Sequence, residues 1–249
     1  MCLMAFAWQV GDHPLTLLGN RDEFHARPTR AADFWTEEGL ADLLAGKDLK
    51  AGGTWLGVTR SQRFAALTNI RAPGAAAAPR SRGCLALNYL AGAAAPGDYL
   101  QQLAAEAEQY GGFNLIVGDA SELWYFNSLD QHAKQVGPGV YGLSNGNLDS
   151  GWPKQRALRD GLAAEPDGDP AALLELLADS RIYPDAQLPG TGIRLELERA
   201  LSAAFIVGEE YGTRASTLLR LGRGGGLNFV ERRYGPMGVM LGASNWEIS

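Results

Sequence analysis

The spacing of apolar and polar positions changes several times along the chain, and each change marks a different kind of element. Residues 3–9 and 15–19 are two apolar runs of strand length. They are separated by Gly11-Asp12-His13-Pro14, which predicts an antiparallel hairpin. The stretch 27–50 reads as a long loop with a short strand at 43–45. Residues 54–59 and 63–70 are β-branched and aromatic around Arg60-Ser61-Gln62, predicting a second hairpin. The Ala-, Pro- and Gly-rich segment 72–80 has no period and reads as a surface loop placed to act as a lid. Helices are expected at 84–90 and at 99–109, the second with Asp98 as its cap. Strands follow at 113–119, 122–127, 132–136 and 140–143. Helices are then expected from Trp152-Pro153, from Asp169-Pro170 to Ala178, and over 194–204. A last hairpin joins 216–221 to 227–234 through Gly222-Arg223-Gly224-Gly225-Gly226, a glycine run without the Lys-Ser/Thr of a phosphate loop. Hairpins, helices, strands, helices and a hairpin come in blocks. That order predicts an α+β fold with mainly antiparallel sheets, and with no repeat or linker the whole of 1–249 is read as one domain.

Composition narrows the function. With 46% hydrophobic residues there is enough apolar material for one large core. The net charge of -6 argues against a nucleic-acid surface, which needs clustered cations. No run approaches the ~20 apolar residues of a membrane span, and no cationic segment precedes the first apolar stretch, so a cytoplasmic protein is expected. Cys2 and Cys84 are too few for a disulfide scaffold or a Cys-rich zinc site, and His13, His25 and His132 lack metal-ligand spacing. No cofactor or metal is expected; the partner is a small-molecule substrate or ligand, and the oligomeric state is not legible.

The chemistry concentrates at the first hairpin. Antiparallel pairing sets Cys2 beside Asn20-Arg21-Asp22-Glu23, expected where the strand ends at the rim of its sheet. A cysteine is more often a small buried apolar residue than a nucleophile, and such a polar run is more often a solvated turn. Position alters the balance: removal of Met1 would make Cys2 the first residue, with its own amine as base at a pKa of about 7.7–8.0. Asn69 and Asn145 fall at strand ends and suit an oxyanion, although an Asx turn accounts for them equally well. Arg21 and Arg214 are the candidate cations, and Asp22 a candidate to orient the amine. Phe24 and Trp55 are the expected apolar lining for an amphipathic ligand.

Several of these residues belong to longer motifs. Met1-Cys2, Asn20-Arg21-Asp22-Glu23-Phe24, Arg27-Pro28-Thr29, Ala45-Gly46-Lys47-Asp48, Gly52-Gly53-Thr54-Trp55 and Leu67-Thr68-Asn69-Ile70-Arg71 occur in order. Ser81-Arg82-Gly83, Phe113-Asn114-Leu115, Gly142-Leu143-Ser144-Asn145, Trp152-Pro153-Lys154 and Thr213-Arg214-Ala215 follow. In these motifs the chain resembles the NRDE family. The resemblance implies an N-terminal-nucleophile (Ntn) hydrolase-like fold of four layers, αββα, with two mainly antiparallel sheets between helical layers. It also implies a cleft in which Cys2, Arg21, Asp22, Asn69, Asn145 and Arg214 carry chemistry and Asn20, Glu23, Phe24, Trp55 and Arg71 contact the ligand. Members are linked to secretory-pathway organisation, haem trafficking and lipid metabolism. Two function classes follow: a Cys2-dependent hydrolase of a non-peptide C–N (amide) bond, or a non-enzymatic carrier of haem or an acyl-CoA or lipid, with haem admitted as a ligand.

Overall fold

The computed structural model describes residues 2–74 and 78–249. Residues 75–77, part of the expected lid loop, and Met1 lie outside the described residues. The strands are β1 (Cys2–Trp8), β2 (Leu15–Phe24), β3 (Thr29–Trp35), β4 (Leu40–Asp48), β5 (Leu56–Thr59), β6 (Phe64–Asn69), β7 (Phe113–Gly118), β8 (Leu123–Asn127), β9 (His132–Gln135), β10 (Gly139–Leu143), β11 (Tyr211–Leu221), β12 (Leu227–Tyr234) and β13 (Met240–Ile248). The helices are α1 (Gly83–Ala91), α2 (Pro96–Ala104), α3 (Pro153–Ala164), α4 (Pro170–Glu175) and α5 (Leu195–Ala200).

The strands form two antiparallel sheets, one in the order β10-β1-β2-β11-β12-β13 and the other running in sequence from β3 to β9. The period of two along each strand divides its side chains between two apolar layers. On β1, Met4, Phe6 and Trp8 face Val58, Phe64 and Ile116 of the second sheet, whereas Leu3, Ala5 and Ala7 face Leu158 and Leu162 of α3 and Leu173 of α4. The outer face of the second sheet is covered by Leu85, Ala86 and Leu90 of α1 and Leu100 and Leu103 of α2. The result is the αββα order, an Ntn-hydrolase-like architecture.

Four expectations are corrected. The stretch 27–50 is not a loop but the β3–β4 hairpin, whose pairing is interrupted by irregularities that break up the apolar alternation. The second strand does not end at Gly19; it continues to Phe24, because β11 pairs with it through Tyr211↔Phe24 and satisfies its backbone. β13 is an additional edge strand with no full apolar face, its burial alternating only between exposed and half-buried. Asp98 lies inside the first turn of α2, while Pro96 occupies the first position.

Candidate active site

Because β2 runs straight through Asn20-Arg21-Asp22-Glu23, the alternation of the strand splits the quartet between the two faces of the sheet. Cys2 pairs directly with Arg21 and shares its face. Both lie on the floor of a cleft of about 420 Å³ whose lining also includes Asp22, Glu23, Trp55 and Asn69. Asn20 points the other way, under the helical layer. Its Nδ2 donates to Leu177 O and Ala204 O, both at 2.8 Å, and its Oδ1 accepts from Ser216 Oγ at 2.6 Å. At 1% exposure Asn20 is a tie between sheet and helices.

Arg21 is 5% exposed and its guanidinium lies over the Trp55 ring, 4.3 Å from the centroid. Trp55 can lie flat there because residue 46 is glycine; a Cβ at Gly46 would overlap the ring. The nearest carboxylate to Arg21 is Asp48, 3.9 Å from Nη2, and Asp48 is engaged more closely by Arg27 Nε at 2.7 Å. Arg21 Nη1 is buried without a hydrogen bond.

Burial pushes the Cys2 thiol pKa up, while the Arg21 charge and the Asp22 backbone N–H favour the thiolate. Burial also raises the Asp22 carboxyl, opposed by the positive charge of Lys154 and by Thr213 Oγ1, which donates to Asp22 Oδ1 at 2.7 Å. Lys154, on α3, is 3% exposed and donates from Nζ to Leu201 O at 2.8 Å and Ala203 O at 3.3 Å.

Burial lowers the Lys154 amine from 10.5 to about 8. The unfolded chain therefore binds the extra proton between these two values, so this group makes the fold more stable as pH rises from about 8 towards 10.5 and contributes a constant cost below 8. Comparing denaturant unfolding of wild type and Lys154→Met across pH 7–10.5 should show wild type gaining on the variant by roughly 2–3 kcal/mol in that window. A difference that is flat with pH would contradict the burial of a charged amine.

Ser144 and Asn145, just beyond β10, are drawn towards Cys2 by a set of backbone-directed bonds. Ser144 Oγ donates to Cys2 O at 3.3 Å, and Thr68 Oγ1 donates to Ser144 O at 2.6 Å. Asn145 Nδ2 donates to Asn69 O at 2.8 Å, so its donor is already engaged, and its buried Oδ1 has no hydrogen bond. Asn69 lines the cleft.

Three other expected site residues lie outside the cleft. Arg214, at a bulge in β11, donates from Nη1 to Phe24 O and Arg27 O, both at 3.0 Å, and braces the turn after β2. Phe24 is 56% exposed and packs edge-on against Tyr211. Arg71 stacks over Trp152 and lies 3.8 Å from Glu198, beside a separate small hollow. Conversely, Arg27, Asp48, Arg82 and Lys154 were not singled out from the sequence, although each lies within a quoted motif that could have marked it.

The sequence model of the Transport and Golgi organisation 2 family matches residues 1–236. The chain belongs to that family. It is 33% identical to the Transport and Golgi organization protein 2 homolog of Bos taurus, over 100% of this chain and 97% of the bovine protein. The Mus musculus homolog is 31% identical over the same shares. Among solved structures, a mutant of the conjugated bile acid hydrolase from Clostridium perfringens is similar in fold, with a TM-score of 0.52 at 9% identity over 99% of this chain and 92% of that one. Family membership thus covers nearly the full chain, and the fold is shared with Ntn hydrolases. No helix among the described residues is long and apolar enough to cross a membrane.

Proposed function

We propose that this family member is a cysteine-dependent hydrolase of a non-peptide amide C–N bond, with Cys2 as nucleophile after loss of Met1. The observation that carries the reading is the Cys2↔Arg21 pair on the cleft floor, with the Asp22 backbone N–H directed at the same sulfur. In this reaction the freed Cys2 amine takes the thiol proton and the thiolate sulfur bonds to the amide carbon. The carbonyl π electrons move to oxygen. Collapse of that tetrahedral species breaks the C–N bond as the nitrogen receives the proton from the Cys2 ammonium. The resulting acyl thioester is attacked by a water that gives its proton to the amine; the C–S bond breaks and a carboxylic acid leaves. Asn69, which lines the cleft, is assigned as the side-chain donor to the oxyanion, a role worth about 2.7–4 kcal/mol.

Intact-mass analysis of the purified chain tests this directly. The expected result is a chain that lacks Met1 and that, on exposure to a slowly turned-over activated amide, gains one acyl group mapped to Cys2. Acylation spread equally between Cys2 and Cys84, or Met1 retained, would overturn the hydrolase. Saturable uptake of hemin or an acyl-CoA by such an unreactive chain would then identify a carrier.

A further inference from the structure

Gly53, Arg82 and Gly83, from two motifs on the wall of the cleft, have no part in the reaction above. Gly53 lies against Gly83, where a Cβ on Gly53 would overlap the Gly83 backbone, and Thr54 N donates to Gly83 O at 3.2 Å. Glycine at 53 lets the first turn of α1 pack against the segment that carries Trp55, just before β5. The nine-residue α1 therefore starts at the cleft, with no side-chain cap and no acidic residue in its first turn. Gly83, at its start, lines the cleft; the N–H groups of Cys84 and Leu85 are taken by Ser81 O at 3.2 Å and Arg82 O at 2.9 Å, so what the helix start adds there is its partial positive charge.

Four guanidiniums of the described residues line the cleft; Arg27 and Arg80 are paired closely with Asp48 and Glu106, which leaves Arg21 and Arg82. Arg82, at the start of α1, donates from Nη1 to Gly112 O at 3.1 Å. Among the described residues no carboxylate lies within 4 Å of it, although attraction to Cys2 and Glu23 opposes the lowering of its pKa by burial. Arg21, 95% buried, lines the same cleft, and its buried Nη1 has no hydrogen bond. A buried cation with an unused donor and a helix start without an anion together describe a place for negative charge supplied by a ligand.

We propose that Arg21, Arg82 and the first turn of α1 form a subsite for an anionic oxygen group, a carboxylate or a phosphate, carried by the molecule whose carbonyl reaches Cys2. The subsite deepens the hydrolase reading and, for the placement of that carbonyl, rests on it. It assigns the substrate class: a small amide bearing an anion a few bonds from the C–N bond, rather than a neutral lipid amide.

Binding to the Cys2→Ala form of the full chain tests the subsite without any turnover. Three amides of matched size serve as probes: N-acetylglycine, N-acetylaminomethylphosphonate and the uncharged N-acetylglycinamide. At least one anionic probe should bind about tenfold or more tightly than the uncharged one, and its affinity should fall with added salt. The tighter of the two anions identifies carboxylate or phosphate as the group. Arg82→Gln should remove the preference and leave N-acetylglycinamide binding unchanged, whereas Arg82→Lys should recover part of it, with thermal midpoints confirming that each variant is folded. Equal binding of all three probes, no saturable binding of either anion, or equal weakening of charged and uncharged probes by Arg82→Gln would overturn the subsite. An anion preference in a chain that shows no acylation of Cys2 would instead overturn the hydrolase and leave the subsite standing.

Discussion

Cys2→Ala should lower hydrolysis by at least about 10⁴-fold while leaving the fold intact. The size follows from the role: removing the attacking atom costs about 10⁶ in kcat in a well-studied hydrolase, and what survives, about 10³–10⁴ over water, is supplied by binding and oxyanion contacts. Stability should change little, because the substitution removes one sulfur from the floor of an open cleft and Ser144 Oγ bonds the Cys2 backbone rather than its side chain. Cys2→Ser should retain a small fraction of the rate, since a hydroxyl can use the same amine base but is a poorer nucleophile near neutral pH. Steady-state rates on an anionic amide, measured beside thermal unfolding of the same preparations, check both halves. Equal rates for wild type and Cys2→Ala would remove Cys2 from the chemistry.

Asn20→Ala should do the reverse, costing stability rather than chemistry. Its amide satisfies the carbonyls of Leu177 and Ala204 and the hydroxyl of Ser216, all in the dry layer between the first sheet and its helices. Each buried polar group left without a partner costs about 1–3 kcal/mol, and hydroxyl rotation can relieve part of the loss at Ser216. A total of about 3–5 kcal/mol is expected, corresponding to a fall of roughly 10 °C or more in Tm for a chain of this size. Denaturant unfolding gives the figure. A loss below about 1 kcal/mol would mean that water or a relaxed backbone takes over all three bonds.

These two variants separate what the sequence makes legible from what it hides. The first hairpin was readable because two apolar runs flank a turn, and from it the adjacency of Cys2 to the Asn20–Glu23 quartet followed; the register Cys2↔Arg21 came from the structure. The two faces of β2 were not readable, because nothing local says that β11 will arrive to extend the strand through Phe24. Read as a rim cluster, the quartet would act as a unit; held within a strand, it divides into cleft residues and core residues. Lys154 was hidden for a similar reason: an exposed-looking lysine in the first turn of a helix gives no sign that two carbonyls from residues 201 and 203 will enclose it. Arg214 sits in a strand as its neighbours suggested, yet the bulge turns its guanidinium to the backbone of 24–27. The third layer of detail, Arg82 at the start of α1, depends on the contact between Gly53 and Gly83, thirty residues apart in sequence. β13 went unseen because an edge strand with one side in solvent needs no apolar period.

The pairing of β2 also sets the order in which the protein can be built. Its partner on one side, β1, is made immediately before it, but its partner on the other side begins at residue 211. At a synthesis rate of about 5–20 residues per second, roughly 10 to 40 seconds separate the two. Through that interval one edge of β2 has its backbone groups unpaired, and Asn20 and Asp22 lack the helices and the threonine that later enclose them. The first strands of the chain to leave the ribosome thus carry the residues of the cleft floor, and β2 waits longest in sequence for its second neighbour. For a nascent chain this is the period of greatest exposure to wrong partners, and the charges of Arg21, Asp22 and Glu23 serve in it as guards against edge-to-edge pairing before they serve in the folded cleft.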